Sequence, residues 1–190
     1  MTKVGFVGAG TIGANSIFAT LAMTDRIDEI AVVDIAEPAA VGRAMDLNTA
    51  SVAFGRRTRV HGGTDYALLK GCELVVVSAG VPRKPGMTRA DLLGINIKIL
   101  KSVCAEVKRH APDCVFLLVS NPVDILLYIC WKALGFPRER TIGMDPAKPI
   151  QIGVNPPHDS IREPHRHEIG HRWIPVIKGE KRFAVCRPQE

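Results

Sequence analysis

Residues 4–34 read V-G-F-V-G-A-G-T-I-G-A-N-S-I-F-A-T-L-A-M-T-D-R-I-D-E-I-A-V-V-D. A short apolar run (Val4, Phe6, Val7) has the character of a buried strand and leads straight into Gly8-x-Gly10-x-x-Gly13. Ile17 and Leu21 then recur at helical spacing, and a second apolar run from Ile30 to Val33 ends in Asp34. Strand, glycine turn, helix, strand and acid, in that order, form the dinucleotide-binding pattern. Gly8 permits the tight turn, Gly10 lets the backbone approach a pyrophosphate, and Gly13 lets the helix pack close to the strand. A helix beginning near Thr11 aims free N–H groups and the positive end of its dipole at that pyrophosphate. Asp34 stands about twenty residues beyond the motif, the place of the acid that accepts hydrogen bonds from ribose hydroxyls. The same carboxylate repels a 2′-phosphate, so the expected cofactor is NAD and not NADP.

The rest of the chain repeats the alternation of strand and helix. Pro38 suits a helix start, with Val41, Ala44 and Met45 on its apolar side. Thr58 to His61 reads as a short strand closed by Gly62-Gly63, and Leu74 to Val77 as a strand covered on both faces. Ser78-Ala79-Gly80 puts small residues where a cofactor crosses the sheet edge, and the prolines, glycine and cations of residues 81–88 make a loop. Leu93, Ile97, Leu100, Cys104 and Val107 recur at helical steps until Pro112. Cys114 to Val119 reads as another buried strand, Val123 to Leu134 as a helix ended by Gly135, and Arg140 to Gly143 as the start of a strand. The expected fold class is α/β, a doubly wound parallel sheet with ligands at the carboxyl ends of its strands.

Beyond Asp145 the composition changes. More than half of the 13 prolines and four of the six histidines lie there, and no helical or strand period persists. The expected division is a nucleotide-binding domain at residues 1–145 and an irregular carboxyl-terminal tail at 146–190.

Overall composition is ordinary, with 46% hydrophobic and 23% charged residues. No apolar stretch approaches the ~20 residues of a membrane span, and the opening Met1-Thr2-Lys3 leaves no room for a signal peptide. The five cysteines are scattered without a C-x-x-C pair, which fits a reducing cytoplasm and small buried apolar residues better than disulfides or zinc, so no metal site is expected. The net charge of +6 is dispersed without aromatic interleaving, so it points to an anionic small molecule and not to nucleic acid.

These motifs resemble the amino-terminal domain of the lactate/malate dehydrogenase family. V-G-A-G-T-I-G, A-V-V-D-I, A-M-D-L, V-S-A-G-V-P-R-K-P-G-M-T-R-x-D-L, the Asn96 helix, V-S-N-P-V-D and T-I-G-M all occur in the family's order. The resemblance spans residues 3–144 and implies a Rossmann sheet that holds NAD. It implies pyrophosphate contacts at Gly8, Gly10, Ile12 and Gly13, a ribose contact at Asp34, and further NAD contacts at Asn96, Val119 and Asn121. It also implies that Arg89 polarises the substrate carbonyl and that Asn121 touches both substrate and nicotinamide, through an Asn121–Pro122 bond expected to be cis. Arg83 matches the position separating malate-type from lactate-type members, and an Arg there takes a second carboxylate as a bidentate pair. The implied substrate is therefore a small 2-hydroxy or 2-keto acid, malate/oxaloacetate ahead of lactate. A homo-oligomer in the cytoplasm and a place in carboxylic acid metabolism (the tricarboxylic acid cycle) are implied as well.

Oxidising a 2-hydroxy acid also requires a proton acceptor, and a His oriented by an Asp meets that need near neutral pH. The family's L-D-x-x-R and G-E-H-G-D-S segments, which carry this pair and a carboxylate-clamping Arg, are not intact after residue 144. Only His171 has family-like flanks, Ile169-Gly170 before it and Ile174-Pro175-Val176 after it. The abrupt change at Asp145 motivates the expectation of a truncated or frame-disrupted member with impaired turnover. A non-catalytic nucleotide-binding module is the alternative.

Overall fold

A computed structural model describes residues 1–144 and the backbone of two strands at residues 171–178 and 181–188. One sheet contains β1 (Lys3–Val7), β2 (Glu29–Val33), β3 (Arg59–Gly63), β4 (Leu74–Val77), β5 (Val115–Leu118) and β6 (Thr141–Gly143). The strands run in the spatial order β3-β2-β1-β4-β5-β6, every pair parallel. Helices α1 (Thr11–Met23), α2 (Glu37–Ala53), α3 (Arg89–His110) and α4 (Val123–Leu134) supply crossovers, and a 3-10 turn at Tyr66–Leu69 links β3 to β4. The order reverses between β1 and β4, and a crevice opens at such a switch point beyond the carboxyl ends of the strands.

Strand alternation sorts the core into two halves. Val4 and Phe6, Ile30 and Val32, and Val60 pack with Ile17 and Leu21 of α1 and Ala44 and Leu47 of α2. Val7, Ala31, Val33, Val75 and Val77 belong to the other half, with Leu100, Val103 and Val107 of α3 and Leu126 and Leu134 of α4. Helices on both faces are the reason these strands read as unbroken apolar runs. Cys72, Cys104, Cys114 and Cys130 are buried and form no disulfide. Burial pushes the Cys72 thiol up to about 11, so it stays neutral.

Two expectations are corrected. Gly62 and Gly63 do not close the third strand but extend it, pairing with Val32 and Val33. A Cβ at Gly62 would meet the Ala40 carbonyl oxygen, so glycine there lets α2 lie close against the sheet. The tail, read as lacking any strand period, contains β7 (His171–Lys178) and β8 (Lys181–Pro188), paired antiparallel from His171↔Pro188 to Lys178↔Lys181. Pro175 hid the first of them, because a proline demotes a strand in sequence yet is tolerated in a two-stranded ribbon where both strands are edges. Residues 145–170 lie outside the described residues.

Candidate functional site

The glycine loop leaves β1 and crosses to α1 under tight steric control. Gly8 has φ +108, and a Cβ there would stand 2.8 Å from Ser78 Oγ. Its N–H donates to the Val33 carbonyl at 2.8 Å, and its carbonyl accepts from Ser78 Oγ at 3.3 Å. A Cβ on Gly13 would meet the Gly8 carbonyl oxygen, so this glycine is needed for helix-to-strand packing. Gly10 differs from both. Its φ of −68 suits any residue, and a Cβ there would meet nothing within 4 Å. Neither backbone conformation nor packing requires glycine at this position. What remains is space for a ligand to approach the backbone, and the residues present fit a dinucleotide pyrophosphate.

Three adjoining cavities make one groove along the carboxyl edge of the sheet. The first, about 410 Å³, is lined by Gly8, Gly10, Asp34, Tyr66, Ser78, Gly80 and Val81, with Ile99 and Ser102 of α3. The second, about 600 Å³, shares Gly10, Ser78, Gly80 and Val81 with the first and adds Thr11, Ile12, Arg83, Asn96, Val119 and Asn121. The third, about 590 Å³, shares Arg83 and Asn121 with the second and adds Arg89. One continuous path therefore runs from the Asp34 carboxylate, past the start of α1, to two guanidinium groups. The first N–H groups of α1 have no intrahelical partner, and Thr11 and Ile12 border the middle of this path.

Asp34 accepts two backbone hydrogen bonds, from Ala9 N–H at 2.6 Å and from Ala36 N–H at 2.9 Å. Burial raises the Tyr66 phenol above its ordinary value, helped by the nearby charges of Glu106 and Asp34, so the hydroxyl stays neutral. Asn96, expected beside the cofactor, is only 3% exposed. Its Oδ1 accepts from Val81 N–H at 2.9 Å and its Nδ2 donates to Val81 O at 3.4 Å, so it reaches the groove mainly through the Val81 backbone. Val119 is nearly buried at the floor, while Ile12 is 57% exposed at the rim. The Asn121–Pro122 bond is cis, as expected.

Arg83 lies in the loop after β4, and Arg89 follows at the start of α3. Arg83 Nε donates to the Met87 carbonyl at 3.0 Å, and both arginines are exposed. Arg89 opens α3, directly after a capping box in which Thr88 Oγ1 accepts from Asp91 N–H and Asp91 Oδ2 accepts from Thr88 N–H. The Thr88 hydroxyl, bonded to Asp91 at 2.6 Å, holds that carboxyl below its ordinary range. Among the described residues neither arginine is in an ion pair.

The backbone of His171 opens β7, and its side chain lies outside the described residues. Among the described residues no histidine lines the groove, no group of His, Cys, Asp and Glu is placed to hold a metal ion, and no helix is long and apolar enough to cross a membrane. Sequence reasoning missed Tyr66, Ile99 and Ser102. No motif marks them, since they reach the Asp34 end of the groove only through the packing of the 3-10 turn and α3.

Comparison with known proteins agrees with this geometry. Residues 2–143 match the lactate/malate dehydrogenase NAD-binding domain. Malate dehydrogenase of Archaeoglobus fulgidus is 49% identical over 183 residues, 96% of this chain and 60% of that protein, a match that extends past Met144. Malate dehydrogenase of Thioalkalivibrio sulfidiphilus is 47% identical over 143 residues, 75% of this chain and 46% of the relative. The solved structure of the Archaeoglobus enzyme in complex with NADH superposes with a TM-score of 0.73 at 49% identity, covering 75% of this chain and 48% of that one. The chain spans about half the length of the curated relatives it matches. With its switch-point groove, its glycine loop and these matches, the chain belongs to the lactate/malate dehydrogenase family.

Proposed function

We propose that this chain is the NAD-holding part of a malate-type 2-hydroxy acid dehydrogenase. The observation that carries the reading is the continuous groove, with Asp34 at one end and Arg83, Arg89 and Asn121 together at the other. Asp34 would take the adenosine ribose, and Gly8, Gly10, Ile12 and Gly13 would cradle the pyrophosphate. Val119, Asn121 and the Val81 backbone set by Asn96 would border the nicotinamide. When bound, the nicotinamide supplies the carbon that gives or takes hydride.

The residues of this chain bind and orient. Arg89 would polarise the substrate carbonyl or hydroxyl oxygen by a charge-assisted hydrogen bond, and Asn121 would fix the angle of approach. Arg83 would grip a second carboxylate, which favours malate/oxaloacetate over lactate/pyruvate. His171 is the candidate proton acceptor, and residues 146–190 would be a remnant of the substrate domain. Cytoplasmic location, supported by four described cysteines that are buried and form no disulfide, belongs to the same proposal. So do a role in carboxylic acid metabolism and homo-oligomer formation.

A second reading is favoured by one observation, the absence of any histidine among the described lining residues. In it the chain is an NAD-binding module without turnover. Fluorescence titration with NADH and NADPH, followed by steady-state NADH oxidation with oxaloacetate and with pyruvate, tests both readings. The expected outcome is NADH binding tighter than NADPH, with negligible turnover. Loss of a positioned acid–base group typically costs ~10²–10⁴-fold in rate. Equal or tighter NADPH binding would overturn the cofactor assignment. Oxaloacetate turnover of ~1–10³ per second would establish a complete enzyme and make His171→Ala the next variant.

A further inference from the structure

We infer that Asp34 is a positioning residue for the glycine loop as well as a ribose ligand. The inference rests on the reading that NAD occupies the groove. Asp34 leaves β2 with both carboxylate oxygens committed to backbone. Oδ2 accepts from Ala9 N–H at 2.6 Å, and Oδ1 accepts from Ala36 N–H at 2.9 Å. Ala9 sits between the first two glycines of the loop and is 3% exposed, so water cannot easily replace the carboxylate as its partner. The loop is thus pinned from two strands. Val33 O holds Gly8 N–H, the Asp34 carboxylate holds Ala9 N–H, and Ser78 Oγ from beyond β4 holds Gly8 O.

The bond to Ala9 is the charge-assisted pin of the three, and the side chain that makes it also lines the groove. It fixes which way the loop presents its amides. The Ala9 N–H is turned to the carboxylate, leaving the N–H groups at the start of α1 for the anion. Ribose recognition and the shape of the pyrophosphate cradle are therefore coupled through one carboxylate. An amide in its place has a single oxygen acceptor. Asn at this position would satisfy one of the two backbone donors and set its own NH₂ against the other.

Simple electrostatics and this positioning role predict opposite signs. Removing a negative charge beside a pyrophosphate site should tighten anion binding if Asp34 acts on ribose alone. If Asp34 holds the loop, the same change weakens binding even for a ligand with no ribose hydroxyls to read.

The test uses the full 190-residue chain, unmodified and as Asp34→Asn, with NADH and with an NADH analogue whose adenosine ribose is 2′,3′-dideoxy. The expected result is that Asp34→Asn binds the dideoxy analogue at least about threefold more weakly than the unmodified chain does. Unchanged or tighter binding of the analogue overturns the inference. Hydrogen exchange on the ligand-free unmodified chain gives an answer that needs no variant to fold. The Ala9 amide is expected to exchange far more slowly than an unprotected amide, and exchange at the unprotected rate overturns the loop role. An unmodified chain that fails to bind NADH would overturn the proposed function, while the exchange measurement would still decide how the loop is held.

Discussion

Gly10 and Gly13 belong to one turn and are surrounded in opposite ways. A Cβ on Gly13 would press on the Gly8 carbonyl oxygen and stand 3.1 Å from Ser78 Oγ, whereas a Cβ on Gly10 would face open groove. Their alanine variants should therefore fail by different routes. Gly13→Ala is expected to destabilise the fold by about 1–3 kcal/mol, the usual range for overpacking, seen as a lower melting temperature without ligand. Gly10→Ala is expected to keep stability within about 1 kcal/mol and to weaken NADH by about tenfold or more, equivalent to about 1.4 kcal/mol. A Gly10→Ala protein that binds NADH normally would mean that the open space is not used by the cofactor.

At the scale of elements, α3 connects the two ends of the groove. Ile99 and Ser102 line the Asp34 end, Asn96 clamps Val81, and Arg89 stands at the helix start beside the substrate end. The capping box of Thr88 and Asp91 fixes where the helix begins and hence where Arg89 emerges. Asn96 then ties the far side of the loop to the same helix. Asn96→Leu would keep the volume roughly but leave the Val81 N–H and C=O without their partner. A cost of about 1–3 kcal/mol is expected from those unsatisfied groups. The exposed loop should also become more susceptible to trypsin after Arg83, and NADH binding should fall. Denaturant unfolding and limited proteolysis read the two effects separately. Unchanged cleavage at Arg83 would show that Asn96 does not restrain the loop.

On the scale of the whole molecule, one side of the sheet carries exposed apolar groups that the described fold leaves uncovered. Phe18 of α1 meets Phe54 edge-on at 5.2 Å between ring centroids, and Phe18 is 49% exposed. Met45 and Val52 on α2 are 67% and 76% exposed, and Met23 at the end of α1 is 84% exposed. Apolar surface of this kind promotes association. Sedimentation velocity of the purified chain should show concentration-dependent self-association, reduced in a Met45→Glu, Val52→Glu double variant. A monomer at every concentration would remove these helices as the cause.

Within residues 1–144, local features of the sequence were enough to place the strands (all but the end of β3), the four helices, the glycine turn and the Asp34 acid. Each of these depends on periodicity, on caps or on backbone freedom over a few neighbouring residues. The side of β1 on which each later strand lies is not a local property, and neither is the convergence of Arg83, Arg89 and Asn121. Those follow from burying both faces of a parallel sheet, which puts β4 beside β1 and opens a crevice where the order reverses. Tyr66 and Ser102 join the site through that packing and through no motif. Asn96 lines the groove, and only the tertiary structure shows that its amide also holds the Val81 backbone. The β7–β8 ribbon was illegible for a related reason. Its strands pair antiparallel with each other, a register between two segments that Pro175 conceals from any reading of periodicity along one strand.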